Sequence, residues 1–356
     1  MSKTIIAGIQ QMGIGIPNVY QAWAWYRQNF AMNIKIFEEA AQANLMLPYT
    51  GNTPQTRHAV LALNAQGGGG FEIWQYTSRT PQPPIFIPQL GDLGIYICKI
   101  KTQNVEKTYQ QLQANNAKIL GNISLNPANQ KHFFVKDPYN NIFEIVESSD
   151  FFYRNNNITA GPNGAVIGVS NIEQSLKVYA DLLGYDQVIF DQTDAFEDFK
   201  PLKNGSQRFR RVLLTHKNDR QGAFSQMLGK TYIELIEATN YNPKKIFENR
   251  YWGDLGFIHL CFDVHNIAQL KKECTQMGFP FTVDSSTTHQ KTFDMGEAAG
   301  HFAYIEDPDG TLIEFVETHK IPIFKKIGWY LDLRKRDASK PLPRLMLRAL
   351  ALNTVK

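Results

Sequence analysis

The sequence predicts an α+β fold made of four tandem units, each a strand, a helix and three further strands. Two repeats lead to this prediction. A hairpin occurs twice, as HFFVKDPYNNIFEIVESS at 132–149 and as HFAYIEDPDGTLIEFVET at 301–318. The segment GDLGIYICKIKTQNVEKTYQQLQANNAKIL at 91–120 also aligns without a gap with GDLGFIHLCFDVHNIAQLKKECTQMGFPFT at 253–282, at an offset of 162 residues (253 − 91). Such regular self-similarity indicates internal duplication.

The second copy of the hairpin carries a carboxylate among apolar side chains. Residues 307–310 (DPDG) predict a tight turn, because proline fixes one central φ and glycine accepts a positive one. Alternation in the following strand then places Leu312, Glu314 and Val316 on one face. In the first copy Glu144 has the same spacing from its turn. A buried carboxylate needs a cation, a proton or water, so both glutamates are candidate site residues.

The other segments complete the four units. The pattern predicts strands at 4–20, 57–64 and 71–76, a helix at 20–31, and a second strand-then-helix opening at 164–184. The units cover about 1–80, 90–150, 160–240 and 253–320. Joined in tandem, they predict two domains, 1–152 and 160–320, followed by a C-terminal extension at 321–356 with a strand or arm and a short helix after Pro343.

Composition limits the class of protein. With 356 residues and 43% hydrophobic residues, the chain is long enough to bury a full core. No apolar run approaches the roughly 18 residues of a membrane span, and the N-terminus lacks a signal-peptide pattern, so we expect a cytoplasmic protein without a membrane partner. The net charge of +4, much of it in the tail, does not predict nucleic-acid binding. Cys98, Cys261 and Cys274 lack the spacing of a disulfide framework or a thiolate metal site.

The repeats and hairpins resemble those of the vicinal oxygen chelate superfamily, which includes glyoxalase I, extradiol dioxygenases and bleomycin-resistance proteins. The resemblance covers about residues 1–320. It implies that the units pair edge to edge into two cupped mixed sheets. It also implies that each unit offers a metal ion one ligand from its first strand and one from its last. Small molecules are the expected partners of such a protein, as a monomer or a homodimer.

Carried onto this sequence, the resemblance implies eight ligand positions. In unit order they are Gln11 and Glu72, Ile97 and Glu144, Gly164 and Glu234, and His259 and Glu314. Ile97 and Gly164 cannot bind a metal, so the second and third units look degenerate as a pair. Pairing the first unit with the fourth collects Gln11, Glu72, His259 and Glu314, a glyoxalase I type of site for one divalent ion (Zn, Ni, Mn or Fe). Pairing within each half instead leaves only Glu234, His259 and Glu314, and the sequence leaves both pairings open.

Several positions have competing interpretations. A histidine in an apolar strand, such as His259, is often a core residue. Glu72 and Glu314 each recur in another unit, so strand ends inherited by duplication are an alternative explanation for them. A slip of one residue exchanges Gln11 with Gln10. His289 and His301 are further candidates for the lining of the cup.

The resemblance implies a glyoxalase I-like lyase or isomerase that acts on a small α-hydroxycarbonyl or thiol adduct through a metal-bound enediolate. Glu314 is then the catalytic base and Glu72 the opposite carboxylate. Gly15 and Tyr76 stand where glutathione-dependent enzymes carry Arg and Asn, so glutathione is not implied. One alternative is an Fe(II) ring-cleaving dioxygenase. Another is a non-catalytic binding protein whose cup has aromatic walls, with Trp23, Phe71, Trp74, Tyr76 and Tyr304 as candidates.

Overall fold

The structure, a computed structural model of the chain, describes residues 3–287, 293–295, 298–324 and 329–355. It confirms the four-unit α+β prediction. The first unit consists of β1 (Ile5–Gly15), α1 (Val19–Phe30), β2 (Ile34–Gln42), β3 (Thr56–Leu63) and β4 (Gly70–Tyr76). The second consists of β5 (Gly94–Thr102), α2 (Val105–Ala114), β6 (Lys118–Leu125), β7 (Lys131–Lys136) and β8 (Ile142–Glu147).

The second half of the chain repeats this order. The third unit consists of β9 (Pro162–Val169), α3 (Ile172–Leu176) with a π-helical turn (Lys177–Leu182), β10 (Gln187–Asp194), β11 (Phe209–Thr215), α4 (Ser225–Leu228) and β12 (Tyr232–Ala238). The fourth consists of β13 (Gly256–His265), α5 (Ile267–Gln276), β14 (Val283–Asp284), β15 (Phe293–Met295), β16 (Ala298–Glu306) and β17 (Leu312–Phe324). The tail adds β18 (Trp329–Asp332) and α6 (Arg344–Arg348).

Strand pairing joins the first unit to the fourth and the second to the third. One sheet has the order β14-β16-β17-β13-β1-β4-β3-β2, with β15 beside β16 and β18 beside β17. The other has the order β10-β11-β12-β9-β5-β8-β7-β6. Both are curled mixed sheets, and we call their concave faces the first cup and the second cup. Of the two pairings left open by the sequence, the structure therefore has the one that brings the two ends of the chain together.

An asparagine begins the main helix of every unit. The side chains of Asn18, Asn104, Asn171 and Asn266 each accept a hydrogen bond from the backbone N–H three residues later. This bond satisfies one of the N–H groups that the first helical turn leaves unpaired. The helices pack against the convex faces of the sheets and form one large core with them.

Tyrosines on the helices link the two sheets. Tyr26 on α1 donates a hydrogen bond to Asp137 Oδ2 at 2.6 Å, and Tyr179 donates to Asp307 Oδ2 at 2.9 Å. Each aspartate opens one of the repeated hairpin turns, where its Oδ1 accepts two backbone N–H bonds. Gly310 has a φ of +91°, as the turn chemistry predicts. The same Asp–Tyr contact therefore fixes a helix of one sheet to a turn of the other, twice.

The tail packs where the two halves of the chain meet. Its buried residues Leu333, Leu342 and Leu347 join a cluster with Phe152 and Met227. Within the described residues, no helix is both long enough and apolar enough to cross a membrane. All three cysteines are free and buried.

Candidate functional site

The first cup brings together the four residues that the family resemblance implies. Gln11 lies on β1, Glu72 on β4, His259 on β13 and Glu314 on β17, the four central strands of the ten-stranded sheet. In the strand register, Gly13 lies between Glu72 and His259. The two ends of the chain thus meet in one cluster. Their role as metal ligands stays a prediction.

The polar atoms of this cluster are close to one another. Gln11 Nε2 donates to Glu72 Oε2 at 3.2 Å and to Glu314 Oε2 at 3.4 Å. His259 Nε2 lies 3.4 Å from Glu72 Oε2 and 3.1 Å from Glu314 Oε2. One candidate ligand atom from each of Glu72, His259 and Glu314 lies within 4.8 Å of the others. Three charged or polar side chains thus converge on one small volume.

The position of the His259 ring depends on a neighbouring glycine. A Cβ atom on Gly13 would lie 2.5 Å from His259 Cε1, a distance that no side chain tolerates. The Trp252 ring lies nearly parallel to the His259 ring, with their centroids 6.3 Å apart. The Tyr304 ring meets the His259 ring edge-on, with a centroid distance of 5.5 Å. The imidazole is therefore held in a slot between backbone and aromatic side chains.

The donor set fits a divalent ion. Nε2 of His259 faces both carboxylates, whereas Nδ1 is buried without a hydrogen-bond partner among the described residues. Two buried carboxylates that share one imidazole leave a negative charge that a cation could balance. Two carboxylates and an imidazole suit borderline or hard divalent ions. Gln11 can join them through Oε1, because rotating its amide exchanges the nitrogen and the oxygen.

The charges in the cluster shift its pKa values. Burial lowers the pKa of His259, but the charges of Glu314 and Glu72 outweigh it and raise the pKa to about 9. Burial raises the pKa of Glu314, whereas the charge of His259 lowers it, and the net shift is downward. The ion-free cluster therefore holds a proton on the imidazole and keeps Glu314 ionised.

Aromatic side chains and a short helical turn cover the cluster. Trp74 and Trp252 lie 4.7 Å apart in the first cup, and each carries an indole N–H that is buried without a described partner. The turn at Leu47–Tyr49 is fixed by the Tyr49 hydroxyl, which bonds Thr282 at 2.7 Å and Glu306 at 2.8 Å. The wall is thus apolar, with a few hydrogen-bond donors, as is usual for small-molecule sites.

Some predicted lining residues lie elsewhere. Trp23 and Phe71 belong to the core between helices and sheets, because Phe71 alternates with Glu72 along β4 and faces the opposite side. His301 is also wrong as a lining residue: it pairs with Glu317 in the strand register and contacts His319, on the face away from Glu314. His289 lies outside the described residues.

The second cup contains a charged network that the sequence analysis missed. Glu144 and Glu234 lie at the positions equivalent to Glu314 and Glu72, as predicted, but Lys99 makes ion pairs with both. The remaining members of the network are His132, Asp198 and Arg211. The 162-residue offset does give one signal. Position 99 aligns with Cys261, so a lysine stands where the fourth unit has a cysteine.

A comparison with known protein families agrees with the resemblance seen in the sequence. Residues 165–297 match the sequence model of the Glyoxalase/Bleomycin resistance protein/Dioxygenase superfamily. The matched segment, which lies in the third and fourth units, is similar to this superfamily. No curated protein matches the chain by sequence.

Solved members of the superfamily share the fold over most of the chain. Glyoxalase I from Zea mays is 12% identical, with a TM-score of 0.52 over 88% of this chain and 92% of its own. A candidate dioxygenase from Bacillus subtilis is 10% identical, with a TM-score of 0.56 over 88% of this chain and 86% of its own. At such identities the likeness concerns architecture. Chemistry has to be argued from the site.

Proposed function

We propose that the first cup binds one divalent metal ion and carries out glyoxalase I-like lyase or isomerase chemistry on a small α-hydroxycarbonyl compound or thiol adduct. One observation carries the proposal. Glu72, His259 and Glu314 converge within 4.8 Å, although they come from opposite ends of the chain. A protonated imidazole balances only one of the two buried carboxylates, so a purely structural cluster would keep one buried negative charge unpaired.

Each residue has a distinct part in this proposal. Gln11, Glu72, His259 and Glu314 would hold the ion, which supplies Lewis-acid stabilisation of negative charge on substrate oxygens when it is bound. Glu314 is the proposed base: it is ionised and lies at the edge of the cluster, 7% exposed. It would take the proton from the carbon next to the substrate carbonyl and return it to the neighbouring carbon. Glu72 faces it as the second carboxylate.

The neighbouring aromatic residues exclude water from this reaction. The Trp252 and Tyr304 rings lie next to the His259 ring, with centroids 6.3 and 5.5 Å from it, and we expect them to limit its rotation. Trp74 adds apolar surface beside them. Low solvent access strengthens the electrostatic effect of each charged group on a developing negative charge.

Metal analysis of protein purified without added ions tests the proposal. We expect one non-iron divalent ion per chain, lost in His259→Ala and retained in His265→Ala, a matched control at the end of the same strand. Glu314→Gln should keep a large part of the metal but lose exchange of the proton next to a carbonyl, followed by NMR in deuterated water. Iron together with catechol-dependent oxygen uptake would support the dioxygenase instead. No metal at all would leave only the binding-protein alternative.

A further inference from the structure

The second cup holds six charged or titratable groups that are almost completely buried. Their exposed fractions range from 0 to 5%. They are Lys99, His132, Glu144, Asp198, Arg211 and Glu234. Buried charges of this number are rare unless they are paired, so their arrangement calls for an explanation.

Lys99 occupies the centre of this network. Its ammonium contacts Glu144 Oε2, and it lies 2.5 Å from Glu234 Oε2. These are the carboxylates equivalent to Glu314 and Glu72 of the first cup. We propose that the Lys99 ammonium is a built-in replacement for a divalent cation in the second cup, and that removing it creates a divalent-metal site there.

The backbone leaves room for this replacement. In the strand register Lys99 lies between Gly164 and Glu144, in the row that holds Gln11, Cys261 and Glu314 in the first cup. A Cβ atom on Gly164 would lie 2.4 Å from the backbone oxygen of Tyr232 and 3.2 Å from Lys99 Cδ, so this position excludes a side chain that could bind a metal. The lysine stem lies against this glycine.

The charges balance only while the ammonium is present. Arg211 binds the other oxygen of Glu234 and lies 2.7 Å from Asp198 Oδ2. His132 Nδ1 lies 2.9 Å from Glu144 Oε1. Without the ammonium, the Oε2 atoms of Glu144 and Glu234 face the vacated position, with His132 against the other oxygen of Glu144 and Arg211 against the other oxygen of Glu234. The two carboxylates then lack a shared cation, and carboxylate oxygens with a neighbouring imidazole suit a borderline divalent ion.

Apolar side chains seal this cup. Phe199 and Leu202, from the segment before β11, pack with Ile97 and Phe134 over the charged network. A substrate has no room to enter, so we expect a metal there to be structural and without lyase activity. A divalent ion should also enter most readily during folding, before the apolar side chains close over the site.

Cobalt binding by Lys99→Ala tests the proposal. The variant is refolded with Co²⁺, desalted and analysed for metal per chain, in an otherwise native background and in a His259→Ala background. In each background, we expect the protein with Lys99→Ala to bind one more cobalt ion per chain than the same protein without it. The additional cobalt should give a visible absorption band typical of nitrogen and oxygen ligands. Because the comparison is with the parent, it holds whether or not the first cup binds metal.

Matched variants make the result specific. Lys101→Ala removes a second buried lysine two residues along β5 and should add no ion. Lys99→Ala combined with Glu144→Gln should lose the additional ion. Folding of Lys99→Ala only when cobalt is present would also support the proposal. An unchanged metal count in folded Lys99→Ala, a gain in Lys101→Ala as well, or failure to fold with and without cobalt would overturn it.

Discussion

The two cups start from the same pair of glutamates and use them differently. Glu72 and Glu314 are 8% and 7% exposed and face a single imidazole, whereas Glu234 and Glu144 are 1% and 0% exposed and face a lysine. Strands, turns and helix caps are otherwise repeated between the sheets. The two cups therefore differ mainly in the side chains that face these glutamates.

The two cups differ physically in how far the charges of their carboxylates are paired with cations of the chain. In the second cup each carboxylate has at least one cationic partner within the chain, and the apolar covering makes these contacts strong. In the first cup two carboxylates share one imidazole, and the indole N–H groups nearby have no described partner. Unsatisfied groups of this kind reduce stability and are typical of binding sites. Under the proposed function we expect the first cup to accept a ligand, whereas the carboxylates of the second cup are already paired within the chain.

Equivalent substitutions at the two glutamates should give the largest contrast. Glu234→Gln leaves Lys99 and Arg211 buried with one carboxylate fewer, and we expect it to lower the free energy of unfolding by about 3–5 kcal/mol. Glu72→Gln in metal-free protein removes one of two like charges and should change that free energy by only about 1 kcal/mol or less. Urea denaturation in the presence of a chelator measures both.

Equal losses in these two variants would contradict the comparison, since they would mean that both cups are held together in the same way. A Glu72→Gln protein as unstable as Glu234→Gln would identify the first cup as a structural ion cluster. Metal-loaded wild-type protein serves as the control, because a bound ion stabilises only the folded state.

Unlike the two cups, the two hairpin turns should contribute to the pH dependence of stability in the same way. Burial raises the pKa of Asp137 and of Asp307 to about 6, despite the hydrogen bonds from Tyr26 and Tyr179 that lower it. A carboxyl whose pKa is higher in the folded state stabilises that state below its unfolded pKa of about 4 and loses this contribution as pH rises to about 6.

Denaturation between pH 4 and pH 7 tests this pH dependence. Relative to Asp307→Asn, the unfolding free energy of the wild type should fall by up to about 3 kcal/mol between pH 4 and pH 6 and then level off. Asp137→Asn should give a difference of the same sign and size. The exposed Asp219 provides a control, because Asp219→Asn should follow the wild-type profile. A flat difference for either turn variant would show that its aspartate is ionised throughout the range.

Much of the fold could be predicted because the duplicated units are still detectable as repeats in the sequence. The hairpins and the 162-residue offset locate all four units, and the family resemblance then implies Gln11, Glu72, His259 and Glu314 as site residues. The choice of sheet partners could not be predicted, since both pairings satisfy the same repeats. It depends on contacts between β1 and β13 and between β5 and β9, which are far apart in sequence.

The network in the second cup was beyond prediction for a different reason. Arg211 and Asp198 lie in a strand and a preceding turn that the repeat does not align, so no offset connects them with Glu144 or Glu234. The visible signal was Lys99, a charge at the position that aligns with Cys261. A buried lysine requires a carboxylate nearby, and Glu144 and Glu234 were already among the implied ligand positions of the second and third units.

The smallest expected effect separates burial from pairing. Lys101 is as buried as Lys99, but its only described ion pair is with Asp150, at 3.1 Å, and that side chain is 41% exposed. Burial lowers the pKa of Lys101 more than Asp150 raises it. Lys101→Met therefore removes a poorly compensated charge and leaves a carboxylate that water can solvate. We expect the unfolding free energy to change by no more than about 1 kcal/mol, against a loss of about 3–5 kcal/mol for Lys99→Met, whose two carboxylates stay buried. If both lysine variants lose the same amount in urea denaturation, the stability of the second cup comes from packing of the lysine stems, because ion pairing distinguishes the two lysines and the burial of their stems does not.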